Sequence, residues 1–225
     1  MAPPVARNLG EAVRNWLDFQ VACKRQALLN ESILAQPIVE FLQARHSGQV
    51  PKEYVIPQLA NAKRGANRRV DFALLSPQTK RITCAIETKW VGRKGIPRQK
   101  IVDDLLRLEL FRRHEGQGFN RFLLVGGEIN GFKRRFEEAE TNIGDGREQF
   151  LTRLLLFSDD VHIVRPESMQ HPWRRHFVDF QSRYKVNLPK RFETQLVVDS
   201  TGIFVRLAVW RIKSSRKRTE IPCQL

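Results

Sequence analysis

Two apolar, β-branched stretches joined by a short polar turn constrain this chain more than any other feature. Residues 68–75 and 81–90 each read as a β-strand, and Ser76, Pro77, Gln78, Thr79 and Lys80 between them read as a turn, so the pair is expected to form a hairpin. Side chains alternate across a strand. Glu87 and Lys89 therefore share one face, while Ile86 and Thr88 take the other. On the first strand Asp71 lies with Ala73 and Leu75, opposite Val70, Phe72 and Leu74. In the register such a hairpin favours, Asp71, Glu87 and Lys89 converge at one end of a sheet. Two carboxylates beside an amine suit a divalent cation with a basic group next to it, an arrangement fitted to phosphodiester chemistry.

The elements around the hairpin follow from periodicity and punctuation. Residues 9–30 read as a helix without Gly or Pro beyond Gly10, and a second helix spans 31–46 with Asn30 as N-cap. Pro37 is expected to kink or restart that second helix. A short strand at 54–59 carries Pro57, which argues for an edge position or a bulge. After Gly92 and Gly95, a helix over 97–114 shows a broad stripe of Ile101, Leu105 and Leu108 with Val102, Leu106 and Phe111 beside it. The nearly continuous apolar run 119–126 has the character of a buried central strand, with Gly126 and Gly127 read as a tight turn after it. Further on, 132–157 is helical with a break at 141–146, 161–164 is a short strand, and 165–192 is loop-like or weakly helical. Strands at 194–198 and 203–212 close the chain as a hairpin. No linker divides the 225 residues, so one domain, 1–225, is expected.

Charge is the informative part of the composition. Lys and Arg number 39 against 24 acidic residues, a formal net charge of +15, which favours a polyanionic partner, nucleic acid before anionic membrane. No apolar run is long enough to cross a bilayer, and the first residues lack the apolar core of a secretory signal. Cys23, Cys84 and Cys223 have neither disulfide-framework nor zinc spacing, which fits a reducing, cytoplasmic setting (nucleoid-associated if bacterial). The five histidines lack metal-ligand spacing, and no phosphate-binding G-x-x-x-x-G-K-S/T sequence is present.

The order helix, strand, strand with Asp71, strand with Glu87-Thr88-Lys89, helix, strand resembles the core of the PD-(D/E)xK nuclease superfamily. The resemblance covers about residues 31–127, leaving 128–225 as a C-terminal elaboration, and Val70 stands where the name-giving proline would be. It implies an α/β fold: a restriction-endonuclease-like core with a mixed central β-sheet flanked by helices, an extra N-terminal helix and a C-terminal β-hairpin. It also implies an Mg²⁺-dependent endonuclease acting on DNA, with Mn²⁺ able to substitute. Asp71, Glu87 and the Thr88 carbonyl are then the metal ligands, and Lys89 orients or deprotonates the attacking water or stabilises developing charge. Members often add an acid from the first core helix; here Glu31 is preferred over Glu40, because it lies nearer the edge of the Leu34, Ile38, Phe41, Leu42 stripe. On the helix over 97–114, Gln99, Asp103 and Arg107 at i, i+4, i+8 border the site or form an exposed polar stripe.

Lys63, Arg64, Arg68, Arg69, Arg93 and Lys94 flank the motif in sequence and are candidates for phosphate-backbone contact. Basic residues among Trp173, His176, Phe177, Phe180 and Tyr184 suggest base stacking or a packed core. A compact nuclease without helicase or methylase elements fits restriction, defence or mobile-element biology, as a homodimer or within a larger defence complex. The competing expectations are a non-catalytic nucleic-acid-binding module on the same fold and an RNA-directed nuclease.

Overall fold

The computed structural model describes residues 4–46, 49–55, 69–93, 98–115, 120–137, 155, 157, 160–165, 173–185, 187–213 and 220–221. Its centre is a seven-stranded mixed sheet. The strands are β1 (Lys52–Val55), β2 (Arg69–Leu75), β3 (Ile82–Val91), β4 (Asn120–Glu128), β5 (Val161–Val164), β7 (Phe192–Thr201) and β8 (Val205–Lys213), in the order β1-β2-β3-β4-β8-β7-β5. A separate two-stranded ladder pairs β6 (Leu188–Pro189) with β9 (Glu220–Ile221). Among the described residues of the large sheet, only β3 and β4 run parallel. A parallel pair needs a crossover, and helix α3 (Arg98–Glu115) supplies it.

Helices cover both faces. On one side, α1 (Pro4–Ala22) and α2 (Ala35–Arg45) bury Leu9, Val13, Leu17, Ile38 and Leu42 against Phe72, Leu74, Ile86, Phe122, Leu124, Leu207 and Val209. On the other, α3, the short helix α4 (Ile129–Phe132) and α5 (Trp173–Tyr184) pack against Ala73, Ala85, Leu123, Val125, Ala208 and Trp210. Leu123 and Leu124 thus face opposite layers, which is why β4 reads as one unbroken apolar run.

Several expectations shift in instructive ways. The first helix ends at Ala22 rather than near residue 30. Lys24 adopts a φ of 59°, with its N–H bonded to the Val21 carbonyl and that of Arg25 to the Gln20 carbonyl. This is a Schellman-type stop made without glycine, so no glycine marks it in the sequence. Asn30 does act as a cap, accepting from the Ser32 N–H at 2.9 Å, but it caps a 3-10 turn (Glu31–Leu34) that passes into α2. Pro37 sits in the first turn of α2, where its missing N–H breaks no helical bond. The strand expected at 54–59 is β1, at the sheet edge as its proline suggested; residues 56–59 lie outside the described ones.

Gly126 and Gly127 are not a turn but the interior of β4. A Cβ on Gly127 would sit 2.5 Å from the Val91 carbonyl oxygen and 3.0 Å from the Phe132 ring, so only glycine lets α4 and β3 approach this closely. Segment 165–192 contains a regular helix, α5, with Phe177 and Phe180 buried in the core; this pair is therefore packing, not a stacking surface. The final hairpin is wider than expected and inserts into the central sheet, β8 lying directly beside β4. Of the helical expectation over 132–157, α4 and a π-turn (Lys133–Glu137) fall among the described residues.

Candidate active site

The antiparallel register aligns Phe72 with Ile86 and Ala73 with Ala85, bringing Asp71 beside the Glu87–Lys89 segment. That segment occupies the C-terminal half of β3, next to its parallel neighbour β4. Asp71 turns its carboxylate onto Thr88: Oδ2 accepts from the Thr88 N–H at 2.7 Å and from the Thr88 hydroxyl at 2.8 Å. The acid is thereby fixed by a backbone donor and a buried side chain, a charge-assisted pair of bonds.

Glu87 and Lys89 are 0% and 6% exposed, so they are no solvated surface ion pair. The Lys89 ammonium lies 2.8 Å from Asp104 Oδ2 and 3.1 Å from Glu31 Oε1, and it donates to the Thr88 carbonyl at 2.7 Å. Of the two acids weighed on the first core helix, Glu31 is the one that reaches the cluster. Glu40 instead accepts from Gln36 on the exposed side of α2. The Thr88 carbonyl, expected as a metal ligand, is here an acceptor for Lys89.

Helix α3 supplies Arg107, weighed in the sequence as bordering the site, and Asp104, which the sequence reading missed. Asp104 and Arg107, at i and i+3, both turn toward β3. Arg107 donates from Nε to Glu87 Oε1 at 2.7 Å, and from its terminal nitrogen to Asp104 Oδ1, so its guanidinium bridges the two acids. Asp103 points elsewhere, 3.0 Å from His176 on α5, and Gln99 is exposed. Of Gln99, Asp103 and Arg107, weighed as bordering the site or as an exposed polar stripe, Arg107 alone reaches the site. A signal for Asp104 was present: it falls at a buried spacing with Ile101, Leu105 and Leu108, where a carboxylate is out of place unless partnered.

The electrostatics follow from burial and crowding. Burial, together with Asp104 and Asp71 nearby, drives the Glu87 carboxyl well above the ordinary glutamate range, despite Arg107. Burial likewise raises Asp104 to about 6, with Arg107 and Lys89 pulling the other way and Asp71 adding to the rise. For Lys89, burial alone would favour the neutral amine, but Asp104, Glu31 and Asp71 outweigh it and hold the ammonium above the usual lysine range. Arg107 is held charged in the same manner by Glu87, Asp104 and Asp71. Elsewhere, burial pushes the Cys84 thiol up to about 12, which removes it as a nucleophile.

The donor types suit a hard divalent cation: Asp71, Glu87 and Asp104 carboxylates within electrostatic range of one another, and a buried Glu87 Oε2 with no hydrogen-bond partner. Their present arrangement does not suit one. Among the described residues no group of three carboxylate, imidazole or thiolate side chains is disposed to hold a metal ion, and the Arg107 guanidinium lies between Glu87 and Asp104.

The candidate phosphate contacts are only partly described. Arg69 pairs with Glu53 at 2.7 Å and Arg93 with Glu128 at 3.1 Å, both on the surface. Lys63, Arg64, Arg68 and Lys94 lie outside the described residues. No helix among the described residues is long and apolar enough to cross a membrane. Comparison of the chain with protein-family models, with curated proteins and with solved structures gives no match.

Proposed function

We propose that this protein is a metal-dependent nuclease of the PD-(D/E)xK type that hydrolyses phosphodiester bonds in DNA. The observation that carries the reading is the convergence of Asp71, Glu87, Lys89 and Glu31 at the C-terminal end of a strand within the only parallel pair of the large sheet among the described residues. Ligands of open α/β sheets bind at such strand ends. The order β1-β2-β3, then α3, then β4 beside β3 supports the restriction-endonuclease-like core, and the net charge of +15 supports a polyanionic substrate.

Asp71 and Glu87 would hold an Mg²⁺ or Mn²⁺ ion, which would supply Lewis-acid chemistry toward the phosphate and the attacking water. The chain's own groups have distinct tasks. Asp71 is oriented by Thr88. Lys89, held as an ammonium, is poorly placed to accept a proton, so its role is to steady negative charge that builds on the phosphate. Glu31, the exposed acid of the cluster, positions the ammonium. Arg69 and Arg93 can exchange their weak surface partners for backbone phosphates.

The guanidinium between Glu87 and Asp104 favours a second reading, a non-catalytic nucleic-acid-binding module on the same fold. A cleavage panel separates them: double-stranded, single-stranded and branched DNA, and RNA, each with Mg²⁺, Mn²⁺ or a chelator. Metal-dependent cleavage lost in Asp71→Ala, Glu87→Ala and Lys89→Ala supports the nuclease. Salt-sensitive binding without cleavage supports the module, and cleavage of RNA alone moves the substrate class. Restriction, defence or mobile-element biology in the cytoplasm, as a homodimer or within a larger complex, completes the proposal.

A further inference from the structure

We propose that Arg107 is a tethered counter-ion standing in the place of a divalent cation, and that Asp104 is a ligand the cation acquires when the guanidinium leaves. This inference rests on the metal-dependent reading above and goes beyond it. Neither residue belongs to the Asp71, Glu87-Thr88-Lys89 pattern; both come from α3.

Four observations meet here. The guanidinium touches Glu87 Oε1 and Asp104 Oδ1 together, so one cation neutralises two buried acids. The other Glu87 oxygen is buried without a partner, although an Arg fork facing a carboxylate squarely could engage both oxygens. Among the described residues the cluster also holds more acid than base: Asp71, Glu87 and Asp104, with Glu31 at its rim, face Lys89 and Arg107. A purely structural ion network gains nothing from surplus buried acid, because each unpaired charge raises the desolvation penalty. A site that exchanges one cation for a stronger one needs that surplus. Arg107 keeps 14% of its side chain exposed, while Asp104 and Glu87 keep 2% and 0%, so the cation has a way out and the acids remain. Metal and guanidinium then compete for the same carboxylates, and the apparent metal affinity falls by the fraction of time Arg107 occupies them.

The test measures metal binding directly. Titration calorimetry with Mn²⁺, without nucleic acid, is run on wild type, Arg107→Met and Arg107→Met/Asp104→Asn. The expected result is at least about tenfold tighter Mn²⁺ binding by Arg107→Met than by wild type, a gain lost in the double variant. Equal or weaker binding by a folded Arg107→Met overturns the proposal. Should that variant fail to fold, the wild-type ¹⁵Nε–H resonance of Arg107 is followed during Mg²⁺ titration. It is expected to shift and lose exchange protection as the ion binds. An unmoved resonance while calorimetry records binding overturns the proposal and leaves the nuclease reading intact. Absence of Mn²⁺ binding by both wild type and Arg107→Met removes the metal-dependent reading and the proposal with it.

Discussion

Replacing Asp104 by Asn should make the metal-free protein more stable at neutral pH, against the usual rule for a partner in a buried ion pair. Breaking such a pair typically costs about 3–5 kcal/mol, because the other charge is stranded. Here neither cation is stranded: Arg107 keeps Glu87, and Lys89 keeps Glu31 and the Thr88 carbonyl. What Asp104 contributes instead is one acid too many. Its carboxyl is raised from an ordinary 3.8 to about 6. An acid whose folded-state pKa lies above its unfolded value binds its proton more tightly in the native state. Its effect on stability is therefore absent below about pH 4 and grows unfavourable as pH rises to about 6. A shift of about two units at about 1.4 kcal/mol each gives on the order of 3 kcal/mol above pH 6, part of it shared with Glu87. Asn keeps the shape and discards the charge, so a gain of about 1–3 kcal/mol is expected at pH 8 and almost none at pH 4. Urea denaturation followed by circular dichroism from pH 4 to 8, in the presence of a chelator, reads this directly. A loss of about 3 kcal/mol or more at pH 8 would instead make Asp104 a necessary structural counter-ion.

The other predictions concern the scaffold and the substrate surface. Arg121 is buried with Glu109 at 2.6 Å and also reaches the Leu108 and Ile212 carbonyls, tying α3 to β4 and β8. Arg121→Met alone should cost about 3–5 kcal/mol in thermal or chemical unfolding, and adding Glu109→Leu should recover much of it. Gly127→Ala forces a methyl group against the Val91 carbonyl; a loss of about 1–3 kcal/mol is expected, and an unchanged midpoint would mean that β3 and α4 part easily here. DNA affinity should fall steeply with salt, and Arg93→Ala should reduce the log–log slope by about 0.9 if Arg93 neutralises one phosphate, whereas an unchanged slope removes it from the interface.

Much of this architecture was legible in the sequence because periodicity and punctuation agreed there. The hairpin of β2 and β3 and the crossover helix α3 carry apolar patterns bounded by turn residues, and β4 is a nearly continuous apolar run. Where sequence and structure parted, the deciding interaction was tertiary. Lys24 stops α1 in a conformation usually marked by glycine. Gly126 and Gly127 resemble a turn but answer to Trp90, Val91 and Phe132 packed over a strand. The final hairpin looked like an appendage because nothing local in 192–213 tells that β8 will pair with β4. At the site, strand alternation placed Glu87 and Lys89 together, and helix geometry separated Glu31 from Glu40. Arg107 was already a candidate for the border of the site, but Asp104 escaped because a carboxylate inside an apolar stripe reads as noise until the strand opposite is known to carry Glu87 and Lys89.

We propose the Asp71, Glu87, Lys89 cluster as a metal-dependent nuclease centre. Glu87→Gln tests it most directly, because the amide oxygen can still accept from Arg107 while the carboxylate charge is gone. Cleavage of supercoiled plasmid and labelled oligonucleotides is measured for wild type and Glu87→Gln at matched folded fraction, with Mg²⁺, Mn²⁺ or a chelator. Metal-dependent cutting by wild type is expected, with a loss of at least about a hundredfold in the variant, the scale of removing an electrostatic element of a catalytic site. Equal cutting by the two proteins, or cutting that persists in the chelator, would rule out a metal-dependent centre at Glu87.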